Sequence, residues 1–173
     1  KQIRDLLDEL NHPALVFIDG ISAIASMPCN MTEMGIDMLA GCSQKGMMGT
    51  PGIGMLALSA KAVEQIRETE KQLEEAGIKK GQHYLTLGKM LDTMDSTGLH
   101  LETPGNYAQF AAALDALAIE GIERVCERHK DCSEIYRAAV KGAGLELVAK
   151  DINTASNAVT AVKSPEGFGE KKI

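Results

Sequence analysis

A lysine in Ser43-Gln44-Lys45 stands between the apolar run Asp37-Met38-Leu39-Ala40-Gly41 and the glycine-rich Gly46-Met47-Met48-Gly49-Thr50-Pro51-Gly52-Ile53-Gly54. An amine placed where a strand ends, in such a loop, can lose its proton and attack a carbonyl. Taken alone, the same residues suit a surface turn, because glycine, proline and lysine are all common in loops. Asp19 adds a partner: it closes a second apolar run, Ala14-Leu15-Val16-Phe17-Ile18, so that a carboxylate and an amine end neighbouring strands. That pairing is what pyridoxal phosphate needs, an amine to form a Schiff base with its aldehyde and a carboxylate to keep its pyridine nitrogen protonated so that the ring can accept electrons. The Gln44 amide, the backbone amides of the turn and the Thr50 hydroxyl can bond a phosphate. Beside Gly20, Asp19 serves equally well as a strand-end turn former, and both readings stand at this level.

The elements that must hold these residues follow from periodicity. Ile3, Leu6, Leu7 and Leu10 have the spacing of one helix face, and Asn11-His12-Pro13 stops that helix. The runs at 14–18 and 37–41 read as strands buried on both faces, as in a parallel sheet. About 17 residues separate them, enough for the dozen or more that a parallel crossover requires. Asp19 and Lys45 then share the carboxyl edge of the sheet, where open α/β folds bind their ligands. Too few residues remain before the run 53–58 for another crossover, so that run returns antiparallel. Ser59 caps a helix that Gly77 ends, with Glu64, Glu68, Glu70, Lys71, Glu74 and Glu75 on its solvated side.

Farther along, 83–87 fits an extended segment or a helix, and Thr103-Pro104-Gly105-Asn106 a turn or helix entry. Helices follow over 107–119 and 122–143, with Gly121 interrupting the pattern, and the runs 145–148 and 158–162 read as two strands of a second, α+β module. The expected fold is therefore α/β, with a mainly parallel sheet in a first domain (1–121) and the beginning of a smaller domain (122–173).

Composition removes several functions. The 173 residues carry a formal net charge of -6 and no clustered Lys or Arg with interleaved aromatics, which argues against nucleic acid. The longest apolar stretch, 53–60, falls far short of the roughly 20 residues of a membrane helix, and no signal peptide is visible. Cysteines at 29, 42, 126 and 132 form no CxxC pair, so they read as reduced thiols of a cytoplasmic protein. Cys126, His129 and Cys132 lie on one expected helix without a second ligand pair, so no metal is expected. The loop 49–54 matches neither GxGxxG nor GxxxxGK[ST] and leads into a strand, which removes a nucleotide loop. Lys1 at the start and Ile173 directly after Glu170-Lys171-Lys172 suggest a segment of something longer.

Asp19-Gly20-Ile21-Ser22, Gly35-Ile36-Asp37, Gly41-Cys42-Ser43-Gln44-Lys45 and Pro51-Gly52-Ile53-Gly54 together resemble the class V aminotransferases of pyridoxal-phosphate fold type I, the alanine:glyoxylate and serine:pyruvate branch most of all. The resemblance continues through Thr103-Pro104, Glu120-Gly121 and Arg128-His129 to Pro165-Glu166-Gly167. It implies that Lys45 is the Schiff-base lysine and proton shuttle, Asp19 the partner of the pyridine nitrogen, Ile21 a packing surface for the ring, and Gln44 a phosphate ligand. It also implies a homodimer in which Thr103 reaches the phosphate of the neighbouring subunit. His100 stands where the family often carries an aromatic phosphate ligand, and imidazole could replace it. The family's phosphate cup and ring-stacking aromatic lie upstream of this chain, and its substrate-gripping arginine downstream.

Gln44 separates the chain from the cysteine desulfurase branch, which usually has histidine before its lysine. The implied reaction moves an amino group from a small amino acid, alanine or serine, to a small 2-oxo acid, glyoxylate or pyruvate. The rivals are a 2-aminoethylphosphonate transaminase, a class V lyase, and a truncated homologue that binds no cofactor.

Overall fold

The runs at 14–18 and 37–41 become β1 (Phe17–Asp19) and β2 (Met38–Cys42) in the computed structural model, which describes residues 1–78, 85–97, 104–165 and 167. β1 and β2 pair in parallel with Asp19 opposite Ala40. β3 (Gly54–Leu58) returns antiparallel on the other side of β2, Cys42 facing Gly54. The sheet is thus three-stranded and mixed, in the order β1-β2-β3. Its alternation is that of pleated strands: Leu39 and Gly41 are buried while Met38, Ala40 and Cys42 are half-buried. On the latter face Phe17 and Leu56 remain exposed.

The crossover between β1 and β2 contains a single short helix, α2 (Met31–Met34). Asn30 caps it by accepting from the amides of Thr32 and Glu33, and Gly35 ends it at φ 66, the left-handed conformation that favours glycine. A Cβ at Gly35 would also strike the methylenes of Arg4.

The amino edge of the sheet is held by one buried carboxylate. Asp37 Oδ2 accepts from the Val16 amide at 2.8 Å and from Arg4 Nη1 at 3.2 Å, and Oδ1 accepts from the Ser59 hydroxyl at 3.1 Å. Ser59 in turn caps α3 (Ala60–Glu75) through the Ala62 amide. One side chain so joins the first helix, β1 and the helix that follows β3.

This changes the expectation for α1 (Gln2–Glu9). The helix forms, and Asn11 at φ 49 turns the chain out of it, but Ile3, Leu6 and Leu10 are exposed. Leu7 of the same stripe is half-buried, and beside it, one turn earlier on the helix, the Arg4 guanidinium pairs with Asp37 and with Asp8.

α4 (Leu87–Thr97) lies beside α3, where Arg67 donates to the Gly88 carbonyl at 3.1 Å and pairs with Asp92 at 2.7 Å. Of the run 83–87, residues 83 and 84 lie outside the described residues, and Leu87 opens the helix. α5 (Pro104–Glu120) and α6 (Ile122–Gly142) pack on each other, broken only at Gly121, whose φ is 85. Across that break the Arg128 guanidinium grips Glu120 with two bonds of 2.6 and 2.9 Å. These bonds hold the Glu120 carboxyl below the usual carboxylate range.

Ala25 of the crossover, Leu117 of α5 and Val125 of α6 form a buried apolar cluster against which Met47 packs. The chain after β2 is therefore anchored in the same core as the two long helices.

The two strands expected at 145–148 and 158–162 reduce to one antiparallel bridge, Leu147 with Val162, beside a Lys163–Glu146 pair at 2.6 Å. Two strands without a third, or a helix across them, are marginal as a ladder. The residues between them form a 3-10 turn (Ile152–Thr154) and dock on the body, Asn157 Nδ2 donating to the Ser26 carbonyl at 3.4 Å and Arg137 to the Ser156 carbonyl.

Candidate active site

Asp19 is the last residue of β1 and Cys42 the last of β2, so the parallel pairing sends both chains out over one edge. Beyond β1, the Asp19 carboxylate folds back in an Asx turn: Oδ1 accepts from the Ile21 amide at 3.0 Å. Its other oxygen bonds nothing among the described residues, and the side chain is exposed. Gly20 donates to the Ala40 carbonyl at 2.9 Å. A Cβ at Gly20 would lie 2.7 Å from Leu39 Cδ1, so the turn sits flush on β2. Ile21 is half-buried, and its carbonyl lies 4.0 Å from Cys42 Sγ. The residue expected to pack on a cofactor ring is thus beside the strand that leads to the lysine.

Beyond β2, the chain enters a loop closed on itself. Ser43 is fully buried. Its amide donates to the Ile53 carbonyl at 3.1 Å, its carbonyl accepts from the Gly49 amide at 2.8 Å, and its hydroxyl donates to the Thr50 carbonyl at 2.6 Å. The Ile53 amide completes the set by donating to Ser43 Oγ at 3.4 Å. Gln44 and Lys45 follow, both exposed. The Lys45 carbonyl then accepts from the Met48 amide at 2.9 Å, a tight turn that leaves Met48 at φ 59.

Three glycines let this loop press against its surroundings. A Cβ on Gly46 would stand 2.3 Å from the Ile24 carbonyl oxygen and 3.2 Å from the Ser26 amide nitrogen. One on Gly49 would meet Phe110 Cδ2 at 2.9 Å and the Ser43 carbonyl at 3.0 Å. Gly52, at φ 133, faces the Asn106 side chain. The main chain at 43–46 is consequently fixed by hydrogen bonds on one side of Lys45 and by backbone contact on the other.

The edge therefore presents the Lys45 amine, the Gln44 amide and one Asp19 oxygen, none of which bonds another group among the described residues. Such a set fits a ligand that carries a carbonyl, an anion and a basic ring nitrogen. His100 and Thr103 lie outside the described residues. No group of three or more metal-ligating side chains occurs among the described residues. Cys126 is buried and Cys132 exposed on α6. Burial pushes the Cys126 thiol up, as it does Cys29. The glycine contacts at 46 and 49 and the Ser43 bonds carry no periodic or compositional signal. Only the glycine density of the loop points to close packing there.

Comparison with known proteins bears on the same edge. Serine–glyoxylate aminotransferase of Hyphomicrobium methylovorum is 33% identical over 173 residues, 99% of this chain and 41% of that protein. L-aspartate–glyoxylate aminotransferase of Paracoccus denitrificans is 34% identical over 172 residues, again 99% of this chain and 41% of that protein. The chain thus spans about two fifths of the length of the curated relatives it matches.

Among solved structures, alanine–glyoxylate aminotransferase from Nostoc sp. superposes with a TM-score of 0.81 at 24% identity, over 97% of this chain and 42% of that one. The fold is accordingly part of the fold type I architecture of pyridoxal-phosphate-dependent transferases. A family description, aminotransferase class-V, matches residues 1–167. With nearly every residue inside that match and the amine, amide and carboxylate on one sheet edge, the chain belongs to the class V aminotransferase family.

Proposed function

We propose that this chain carries the lysine half of a pyridoxal-phosphate-dependent aminotransferase that moves the amino group of a small amino acid, alanine or serine, to a small 2-oxo acid, glyoxylate or pyruvate. The observation that supports this best is the shared carboxyl edge, where Asp19 and Lys45 leave adjacent parallel strands with Gln44 between the lysine and the buried Ser43. The names of the matched relatives, serine–glyoxylate and L-aspartate–glyoxylate aminotransferase, favour glyoxylate as acceptor.

Pyridoxal phosphate, when bound, supplies an aldehyde for the amine and a protonated ring that takes up electron density. Lys45 Nζ would be the amine that holds the cofactor through its aldehyde. As a free amine, the same Nζ would be the base that takes the proton from the substrate Cα and the acid that gives it up again. Asp19, through the oxygen that the Ile21 amide leaves free, would keep the ring nitrogen protonated. Ile21 would pack against the ring, and the Gln44 amide would donate to the phosphate. His100 and Thr103 act on phosphate as well, Thr103 on that of the neighbouring subunit in a homodimer. Residues 1–121 form part of the cofactor-binding domain and 122–173 open the smaller one, with Gly121 at the junction. The protein works in the cytoplasm, and among the described residues no helix is long and apolar enough to cross a membrane.

Borohydride treatment of the full-length protein, followed by peptide mass analysis, tests this reading. The cofactor mass should appear on Lys45, and Lys45→Arg should lose both the adduct and at least about a hundredfold in turnover with alanine or serine and glyoxylate. Full-length protein with no adduct and no half-reaction would leave a non-catalytic homologue. Conversion of aminoethylphosphonate in preference to both amino acids favours the phosphonate transaminase.

A further inference from the structure

We propose that Ser43 is a positioning residue for Lys45, acting through the loop it closes; this rests on the reading of Lys45 as the cofactor-binding amine. A serine hydroxyl in a solvated loop ordinarily faces water. That of Ser43 is fully buried and makes two bonds, one to each residue bracketing Pro51-Gly52: it donates to the Thr50 carbonyl and accepts from the Ile53 amide. Its backbone amide and carbonyl bond the same loop at Ile53 and Gly49. Every polar group of the residue is thus spent on bringing the return arm of the loop against the end of β2.

The loop needs that closure because it contains a residue in an unfavourable conformation. Met48 sits at φ 59, a region that an unbranched side chain tolerates only when neighbouring bonds hold it. The Met48 amide is bonded to the carbonyl of Lys45 itself. Releasing the return arm frees Met48 to relax toward negative φ, and the bond it makes drags the main chain of Lys45 with it. The contact of Gly46 with the Ile24 carbonyl limits movement inward, so the displacement is outward, away from the turn that carries Asp19. Ser43 is fully buried, and its hydroxyl is committed to Thr50 and Ile53 within the loop. Its effect is on where the amine starts from.

The test uses the full-length holoenzyme with Ser43→Ala, compared with Ser59→Ala, which removes a hydroxyl of similar structural weight at the opposite edge of the sheet. A reach error of the order of 1 Å lowers turnover by about ten- to a hundredfold. We expect that loss in kcat for Ser43→Ala with KM for the amino donor within about twofold, and slower borohydride fixation on Lys45. In protein stripped of cofactor, amide exchange across 44–53 should quicken in Ser43→Ala and stay unchanged in Ser59→Ala.

The proposal is overturned if Ser43→Ala keeps kcat within about twofold of wild type, or if Ser59→Ala loses as much kcat as Ser43→Ala, which would make the effect one of general stability. If wild-type protein fixes no cofactor on Lys45, the functional reading fails and takes this one with it. Wild-type fixation with an unaffected Ser43→Ala removes the positioning role alone.

Discussion

Gly46→Ala is the smallest change that tests how the lysine loop is seated. The added methyl carbon would lie 2.3 Å from the Ile24 carbonyl oxygen, against an ordinary contact of 3.4 Å or more, and the obstructing atom is backbone. The loop or the crossover must therefore shift by roughly 1 Å, because no side chain can swing aside. Overpacking of this kind costs about 1–3 kcal/mol, so the melting temperature of the full-length protein should fall by roughly 2 °C or more. The same displacement moves the amine of Lys45, the preceding residue, and a misplacement of about 1 Å lowers turnover by up to a hundredfold. Gly54→Ala is the matched comparison, since nothing stands within 4 Å of a Cβ there and it should be neutral to within about 0.5 kcal/mol. Differential scanning of both variants, with borohydride fixation on Lys45 as the second readout, decides the point. A Gly46→Ala protein that melts and fixes cofactor like Gly54→Ala would show that the loop is not seated on the Ile24 backbone.

Two further outcomes follow from the scaffold. Asp37→Ala takes a shared acceptor from the Val16 amide, the Ser59 hydroxyl and the half-buried Arg4 guanidinium, which keeps its pair with Asp8, so urea titration should register a loss of about 2 kcal/mol; a loss under about 0.5 kcal/mol would mean that the amino edge is held otherwise. Glu120 has a folded pKa lowered first by its hydrogen bonds to Arg128. Its contribution is therefore complete above the unfolded carboxylate value, about 4.3, and disappears as pH falls through the lower folded value. Stability curves of wild type and Glu120→Gln should be separated at neutral pH and converge in acid, and a gap that widens below pH 4 or so would refute the assignment.

The strand ends were readable because they rest on local signals. A continuous apolar run closed by Asp19-Gly20 and another closed before Ser43-Gln44-Lys45 place Asp19 at a strand terminus and Lys45 just beyond one. Counting residues between them and to the next run decides which pair is parallel and which antiparallel, as found. What holds the sheet was not readable. Arg4 and Asp37 are 33 residues apart and neither carries a periodic signature, so the apolar stripe of α1 announces the helix but not the ion pair beside it. The stretch 145–162 shows the opposite error: strand-like composition was present, but a ladder needs neighbours, and the pairing stops at one bridge. In the loop, Ser43 reads from sequence as an ordinary polar loop residue. Only the folded loop turns its hydroxyl inward.

The two anchors on either side of Lys45 also set a clock. With the main chain tied at Ser43 and seated at Gly46, the motion left to the amine is rotation about its flexible four-carbon stem. Exposed side chains reorient in picoseconds to nanoseconds, whereas loops move in nanoseconds to microseconds. On the function proposed above, an amine that swings from a fixed pivot would sample its approaches to a carbonyl or a proton many times during one loop fluctuation. On that function, the slow coordinate at this end of the site would belong to the chemistry or to whatever covers the sheet edge, and not to the loop that carries the lysine.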